Sequence, residues 1–141
     1  MTDRAPVSSS LTKKLHLKPG HRLLLLAAPE PVRPLLEPLP EGVRVVESAD
    51  GDAVDAVLAF VRDRVELART APQALAALRP GGLLWLAYPK KSSGMKSDLT
   101  RDVGWEPLTT AGWEGVAQIA VDEVWAATRF RPAAEVKRRA R

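Results

Sequence analysis

Between Tyr88 and Trp105 the chain reads YPKKSSGMKSDLTRDVGW. Lys90, Lys91, Lys96 and Arg101 place four cations in the segment 90–101 against the single carboxylate of Asp98, a local net charge of +3. Ser92-Ser93-Gly94 can turn its amides inward as a nest for an anion, with the serine hydroxyls as further donors. Ser97 or Asp98 is placed to cap a following helix, whose N-terminus adds positive potential. Arg101 lies three residues beyond Asp98, so both can share one helical face. Trp105 offers a ring on which a base can stack, or an apolar anchor for a short helix. The chemistry these types serve is recognition of phosphate or carboxylate. The candidate anion-binding residues are therefore Lys90, Lys91, Ser92, Ser93, Lys96, Asp98, Arg101 and Trp105. The alternative reading is a solvated loop in which Asp98, Arg101 and Asp102 form a structural ion-pair network.

Other chemistries are excluded or weak. The G-x-x-x-x-G-K-[ST] spacing of a phosphate-binding loop is absent. Ser93 to Lys96 matches S-x-x-K, but the K-T-G and S-D-N elements that accompany it in penicillin-recognising enzymes are missing. There is no cysteine, so thiol nucleophiles, disulfides and thiolate zinc sites are all ruled out. His16 and His21, the only histidines, precede the first apolar strand, and no metal site or serine triad is expected. The tail from Ala133 to Arg141 also carries +3. Tail and loop together exceed the +4 of the whole chain, so the remainder is net acidic and the basicity is local. Such a patch fits an anionic small molecule or nucleic acid as partner. No apolar run reaches a membrane span and the start lacks signal architecture, so a cytoplasmic protein without membrane contact is expected.

The elements that must carry this loop follow from periodicity. The 141 residues suit one domain, with residues 1–10 and the basic tail 133–141 expected to be disordered and 11–132 folded. A short helix is predicted over Leu11–Leu17, stopped by Lys18-Pro19-Gly20, and a buried strand over His21–Ala28. The proline-rich connection allows only a short helix, Val32–Leu36. Strands are predicted at Val43–Glu47 and Ala56–Val61. Leu67, Ala71, Leu75 and Leu78 keep helical spacing until Arg79-Pro80-Gly81-Gly82, after which Leu83–Tyr88 reads as another buried strand. Asp98–Val103 and Glu106–Ala111 read as helical pieces divided by Gly104. Val116–Val121 and Val124–Phe130, joined through Asp122-Glu123, predict a closing antiparallel hairpin. Trp85 and Trp125 read as packing residues within strands.

This order resembles a reduced class I S-adenosylmethionine-dependent methyltransferase. In that family a Pro-Gly turn commonly feeds the first strand, the second strand often ends in an acidic residue, and L-R-P-G-G precedes the fifth. Here those positions are Lys18-Pro19-Gly20, Val43 to Glu47, and Leu78 to Gly82. More narrowly, Arg79 to Gly82, Tyr88 to Ser93, Lys96, Asp98 and Thr100 to Trp105 resemble the "RPGG…YPKKSS…K-D-TRD-GW" signature of a family of small, functionally uncharacterised bacterial proteins. The resemblance implies an α/β, Rossmann-like, mostly parallel sheet of about six strands. Its implied strand order is second, first, third, fourth, last, next-to-last. It also implies Glu47 as the residue holding the ribose of a bound cofactor. The glycine-rich turn that cradles S-adenosylmethionine is replaced by Ala27-Ala28-Pro29-Glu30-Pro31, and proline removes amide donors.

The leading expectation is accordingly a non-catalytic or regulatory module without a cofactor, binding an anionic ligand through the loop after Leu83–Tyr88. The alternative is a divergent methyltransferase or other small-molecule enzyme, with Glu47 on the ribose and Asp98 or Asp102 acting on substrate. A third reading is an interaction domain that forms a homodimer through its C-terminal strands.

Overall fold

In the computed structural model, which describes residues 9–48 and 51–135, the first ordered turn is set by Ser9. Its hydroxyl accepts the Thr12 amide at 3.0 Å and caps α1 (Ser10–Lys14). Ser9 and Ser10 thus belong to the folded part, whereas residues 1–8 and 136–141 of the expected tails lie outside the described residues. Lys18-Pro19-Gly20 turns the chain into β1 (Arg22–Leu26), whose Leu23, Leu24 and Leu25 are all buried. A 3-10 turn (Arg33–Leu36) with Pro34 in its first positions leads to the short β2 (Arg44–Val46). β3 (Val54–Phe60) is apolar on both faces, as a central parallel strand must be.

Asp63 then caps α2 (Arg64–Ala77) by accepting the Glu66 amide at 2.9 Å, and Pro72 is accommodated inside the helix. β4 (Leu78–Pro89), α3 (Glu106–Thr109), β5 (Trp113–Ala120) and β6 (Trp125–Pro132) complete the chain. The six strands lie in the order β2-β1-β3-β4-β6-β5, as expected. Pairing is parallel from β2 to β4 and antiparallel through β6 and β5. The β5–β6 ladder slips in register between Gly115 and Ala117.

Two departures from the sequence reading have physical causes. Arg79-Pro80-Gly81-Gly82 follows the end of α2 as predicted, but forms an irregular start to β4 rather than a separate turn. Leu78 pairs with Val54, the ladder shifts, and pairing resumes at Leu83 with Ala56. Gly82 is required there, because a Cβ would lie 2.8 Å from the Asp55 carbonyl oxygen and 2.6 Å from Leu78 Cδ1. The second departure is Asp98–Val103, which is not helical. Thr100 N instead bonds Val103 O at 3.1 Å, and Thr100 O receives the Trp105 indole at 2.8 Å. The Asp102 amide, which a helix would place on Asp98 O, instead donates to Thr100 Oγ1 at 3.4 Å.

Strand alternation divides the core into two layers. Leu24, Val57, Leu86 and Phe130 face α2 and α3, while Leu23, Leu58, Trp85 and Trp125 face α1 and the 3-10 turn. Among the described residues no helix is long and apolar enough to cross a membrane.

At the amino edge, Asp55 accepts the Arg22 amide at 2.8 Å and Arg79 Nε at 2.5 Å. The Arg22 amide bond, above all, lowers its pKa from the ordinary 3.8, with Arg79 adding to the effect and desolvation opposing it. A carboxyl depressed in the folded state stabilises at pH above its unfolded value and loses that contribution as pH falls through the folded one. The stability difference between wild type and Asp55→Asn, followed by urea unfolding, is therefore expected to be constant above about pH 5 and to shrink below about pH 4. A difference independent of pH down to about pH 2 would mean that Asp55 is not held by these partners.

Candidate functional site

In an open α/β sheet, ligands sit beyond the carboxyl ends of the parallel strands. Here that edge carries the turn after β1, the Val61–Asp63 connection into α2, and the long loop after β4. β6 runs antiparallel, so its start lies on the same edge, with Trp125 opposite Pro89 and Lys90 N bonded to Val124 O at 2.7 Å. Several cavities open along it, and two of them bear on function.

The first, about 470 Å³, lies between the loop after β4 and the β5–β6 hairpin. Lys90, Lys91, Ser92, Thr100 and Arg101 line one side, and Tyr88, Gln118, Ile119 and Ala126 the other. Four predicted anion-binding residues, Lys90, Lys91, Ser92 and Arg101, thus converge. Tyr88 and Gln118 were missed by sequence reasoning. Gln118 Nε2 donates to Tyr88 Oη across the intervening strand β6. Burial raises the phenol above its ordinary value, outweighing the nearby Thr128 hydroxyl, Arg101 and Gln118 that favour ionisation, and Asp102 adds to the rise. Tyr88 is therefore a neutral donor at physiological pH.

The remaining predicted residues are placed elsewhere. Ser93 spends both its groups on the loop: its amide and hydroxyl donate to Lys90 O at 3.0 and 2.7 Å, and its oxygen accepts the Met95 amide. The nest expected of Ser92-Ser93-Gly94 is thus replaced by a closed 3-10 turn, Lys91–Ser93, with Gly94 at φ 82°. Lys96 lines a smaller adjoining recess of about 310 Å³, together with Met95, Ser97 and Leu99 and with Lys90, Lys91 and Thr100 of the first cavity. Asp98 does not cap a helix after it. Its carboxylate instead accepts the Arg64 amide at 2.8 Å, joining Asp63 at the N-terminus of α2. The expected Asp98–Arg101–Asp102 network is therefore not formed around Asp98, and Asp102 is exposed with its amide on Thr100 Oγ1 at 3.4 Å. Trp105 is only 7% exposed and packs edge-on to Tyr88 at 5.5 Å, so it is a core anchor rather than an open stacking face. Glu47, exposed just past β2, pairs with Arg33 at 2.5 Å.

The second cavity, about 650 Å³, lies at the exits of β1 and β3 beside α2. Pro29, Phe60, Met95 and Trp125 form an apolar wall, and Arg69, Thr70 and Gln73 of α2 a polar one. Ala27, at its rim, holds a left-handed φ of 58° without being glycine. Such backbone is uncommon for a residue with a side chain and clusters at ligand sites.

No family model matches the chain, and no curated protein matches it in sequence. Solved structures match in fold. S-adenosylmethionine-dependent methyltransferases from Geobacter sulfurreducens and Thiobacillus denitrificans, both in complex with S-adenosylhomocysteine, align with a TM-score of 0.58. Their identities are 14% and 11%; the alignments cover 86% and 87% of this chain and 90% and 89% of theirs. TrmN from Thermus thermophilus aligns at TM-score 0.53 and 14% identity over 87% of this chain, which spans only 47% of that protein. This likeness shows a Rossmann-like, methyltransferase-like fold; the narrower signature-based resemblance gains no family match. The expectation of no cofactor is corrected by these neighbours, whose complexes with S-adenosylhomocysteine place an adenosyl ligand in the same fold. Inferring its absence from one glycine-free turn gave a single loop too much weight.

Proposed function

We propose that this chain is a divergent protein of the S-adenosylmethionine-dependent methyltransferase type, binding an adenosyl ligand in the 650 Å³ cavity. The observation that carries the reading is the cavity's position, at the ends of β1 and β3 in a sheet ordered β2-β1-β3-β4. Its lining suits the group. Pro29, Phe60, Met95 and Trp125 provide an apolar wall for a base, and Arg69, Thr70 and Gln73 provide donors for hydroxyls and a carboxylate.

Two features depart from the pattern the resemblance implies. Pro29 and Pro31 leave few amides to offer at the β1 turn. Arg33 already neutralises Glu47, so the ribose is not held there. Glu66 is likewise committed, accepting the Arg62 amide at 2.7 Å and its guanidinium at 3.2 Å. The ligand is therefore gripped from α2 rather than from the β1 turn. When bound, S-adenosylmethionine supplies a transferable methyl group; this chain's residues bind and orient it.

Calorimetric titration with S-adenosylmethionine and S-adenosylhomocysteine is expected to give saturable binding. Arg69→Ala/Gln73→Ala should raise Kd about tenfold or more without lowering Tm, and Glu47→Ala should leave Kd within about twofold. No heat and no thermal shift with either ligand would overturn the proposal. So would binding that depends on Glu47 and ignores the α2 variant.

A further inference from the structure

The first cavity holds a charge arrangement that the adenosyl reading does not use. Lys90, Lys91 and Arg101 line it, and among the described residues none of the three is in an ion pair. Several arginines elsewhere are paired: Arg33 with Glu47, Arg62 with Glu66, Arg64 with Glu106 and Arg79 with Asp55. The loop's own carboxylate, Asp98, is turned away onto the amide of Arg64. Asp102 lines a neighbouring recess that shares Arg101 and Gln118 with this one, and it does not line this cavity itself. Cations gathered at a concave site without a carboxylate partner raise the local concentration of anions.

The floor is neutral and polar, and the walls are apolar. Tyr88 is 3% exposed with its oxygen accepting from Gln118, and the Thr128 hydroxyl near it belongs to the neighbouring recess. Pro89, Ala120 and Ala126 supply the apolar surface, while the Ile119 side chain packs into the other layer of the core. A volume of about 470 Å³ lies within the range of small-molecule sites.

We propose that the cleft between the loop 90–101 and the β5–β6 hairpin binds a small amphipathic anion. Its phosphate or carboxylate head meets Lys90, Lys91 and Arg101, and its apolar body rests on Pro89, Ala120 and Ala126 above the Tyr88 hydroxyl. The site is separate from the adenosyl cavity and stands whether or not that cavity binds its ligand. A small molecule suits the cleft better than nucleic acid. The cations converge on one depression instead of tracking a strand, and the nearby rings of Tyr88 and Trp105 are buried, so no base can stack on them.

The test is calorimetric titration of the full chain, without adenosyl compounds, with phenyl phosphate, phenylacetate and inorganic phosphate. Phenyl phosphate or phenylacetate is expected to bind at least about tenfold more tightly than inorganic phosphate, since only they bury an apolar body. Whichever of the two binds tighter identifies the head group. Lys90→Ala/Lys91→Ala should weaken that binding about tenfold or more, and Arg101→Ala should do likewise. Ala120→Trp, at an exposed strand position, fills the cleft without removing charge and should abolish binding while Tm stays near wild type. Three results would overturn the proposal. Inorganic phosphate could bind as tightly as the aryl anions, Ala120→Trp could bind as well as wild type, or an oligonucleotide could displace the aryl anion with an affinity falling steeply in salt.

Discussion

Trp105→Ala is expected to destabilise the protein by about 3–5 kcal/mol, the range for truncating a buried aromatic, and to lower Tm on the order of 10 °C. The indole is 7% exposed and meets Tyr88 at 5.5 Å and Phe130 at 5.3 Å. Removing it leaves a void between β4, β6 and the loop. It also frees Thr100 O, which holds the turn at residues 100–103 through the indole Nε1. Trp105→Phe separates the two effects: most of the ring contacts remain and only the hydrogen bond is lost, at about 1 kcal/mol. Denaturant unfolding of the three proteins decides the matter. Should Trp105→Ala keep wild-type stability and lose only ligand affinity, Trp105 is a recognition residue and its assignment to the core fails.

Trp85→Ala is expected to cost about the same, again about 3–5 kcal/mol, but on the opposite face of the sheet. Trp85 is 1% exposed within β4, and its indole donates to Leu15 O at 3.1 Å. That bond satisfies a carbonyl at the end of α1, a helix of five residues too short to persist by itself. His16, held at φ 64°, stacks on the same ring at a centroid distance of 6.4 Å. The variant should therefore lose hydrogen-exchange protection in α1 first, with the α2 amides retained longer. Equal loss of protection in both helices would contradict the view that Trp85 pins α1 in particular.

Much of the architecture is legible along the chain because it is local in sequence. The apolar runs Leu23–Leu26 and Val57–Phe60 announce buried strands, and Asp122-Glu123 announces a hairpin. The basic character of the loop after β4 is equally plain. Its division of labour is not, because each decisive partner is distant. Asp98 bonds an amide 34 residues earlier and Gln118 reaches a phenol 30 residues earlier, while Glu47 is neutralised by an arginine that reads as part of a proline-rich connector. Helical spacing misleads at 98–103, where the Thr100 hydroxyl takes the Asp102 amide and the Thr100 amide turns onto Val103 O. Trp105 itself follows a glycine in a polar stretch, and nothing local shows that β4 and β6 close over it.

The Asp98 carboxylate on the Arg64 amide also has a thermodynamic consequence. α2 lines one cavity and the loop containing Asp98 lines the other, so this bond joins the walls of both. Arg64 reinforces the joint: it pairs with Glu106 at 3.3 Å, and its Cγ would lie 3.2 Å from a Cβ at Gly104. Any change that an occupant of one cavity makes in the affinity of the other through this joint must be matched, in equal measure, in the reverse direction.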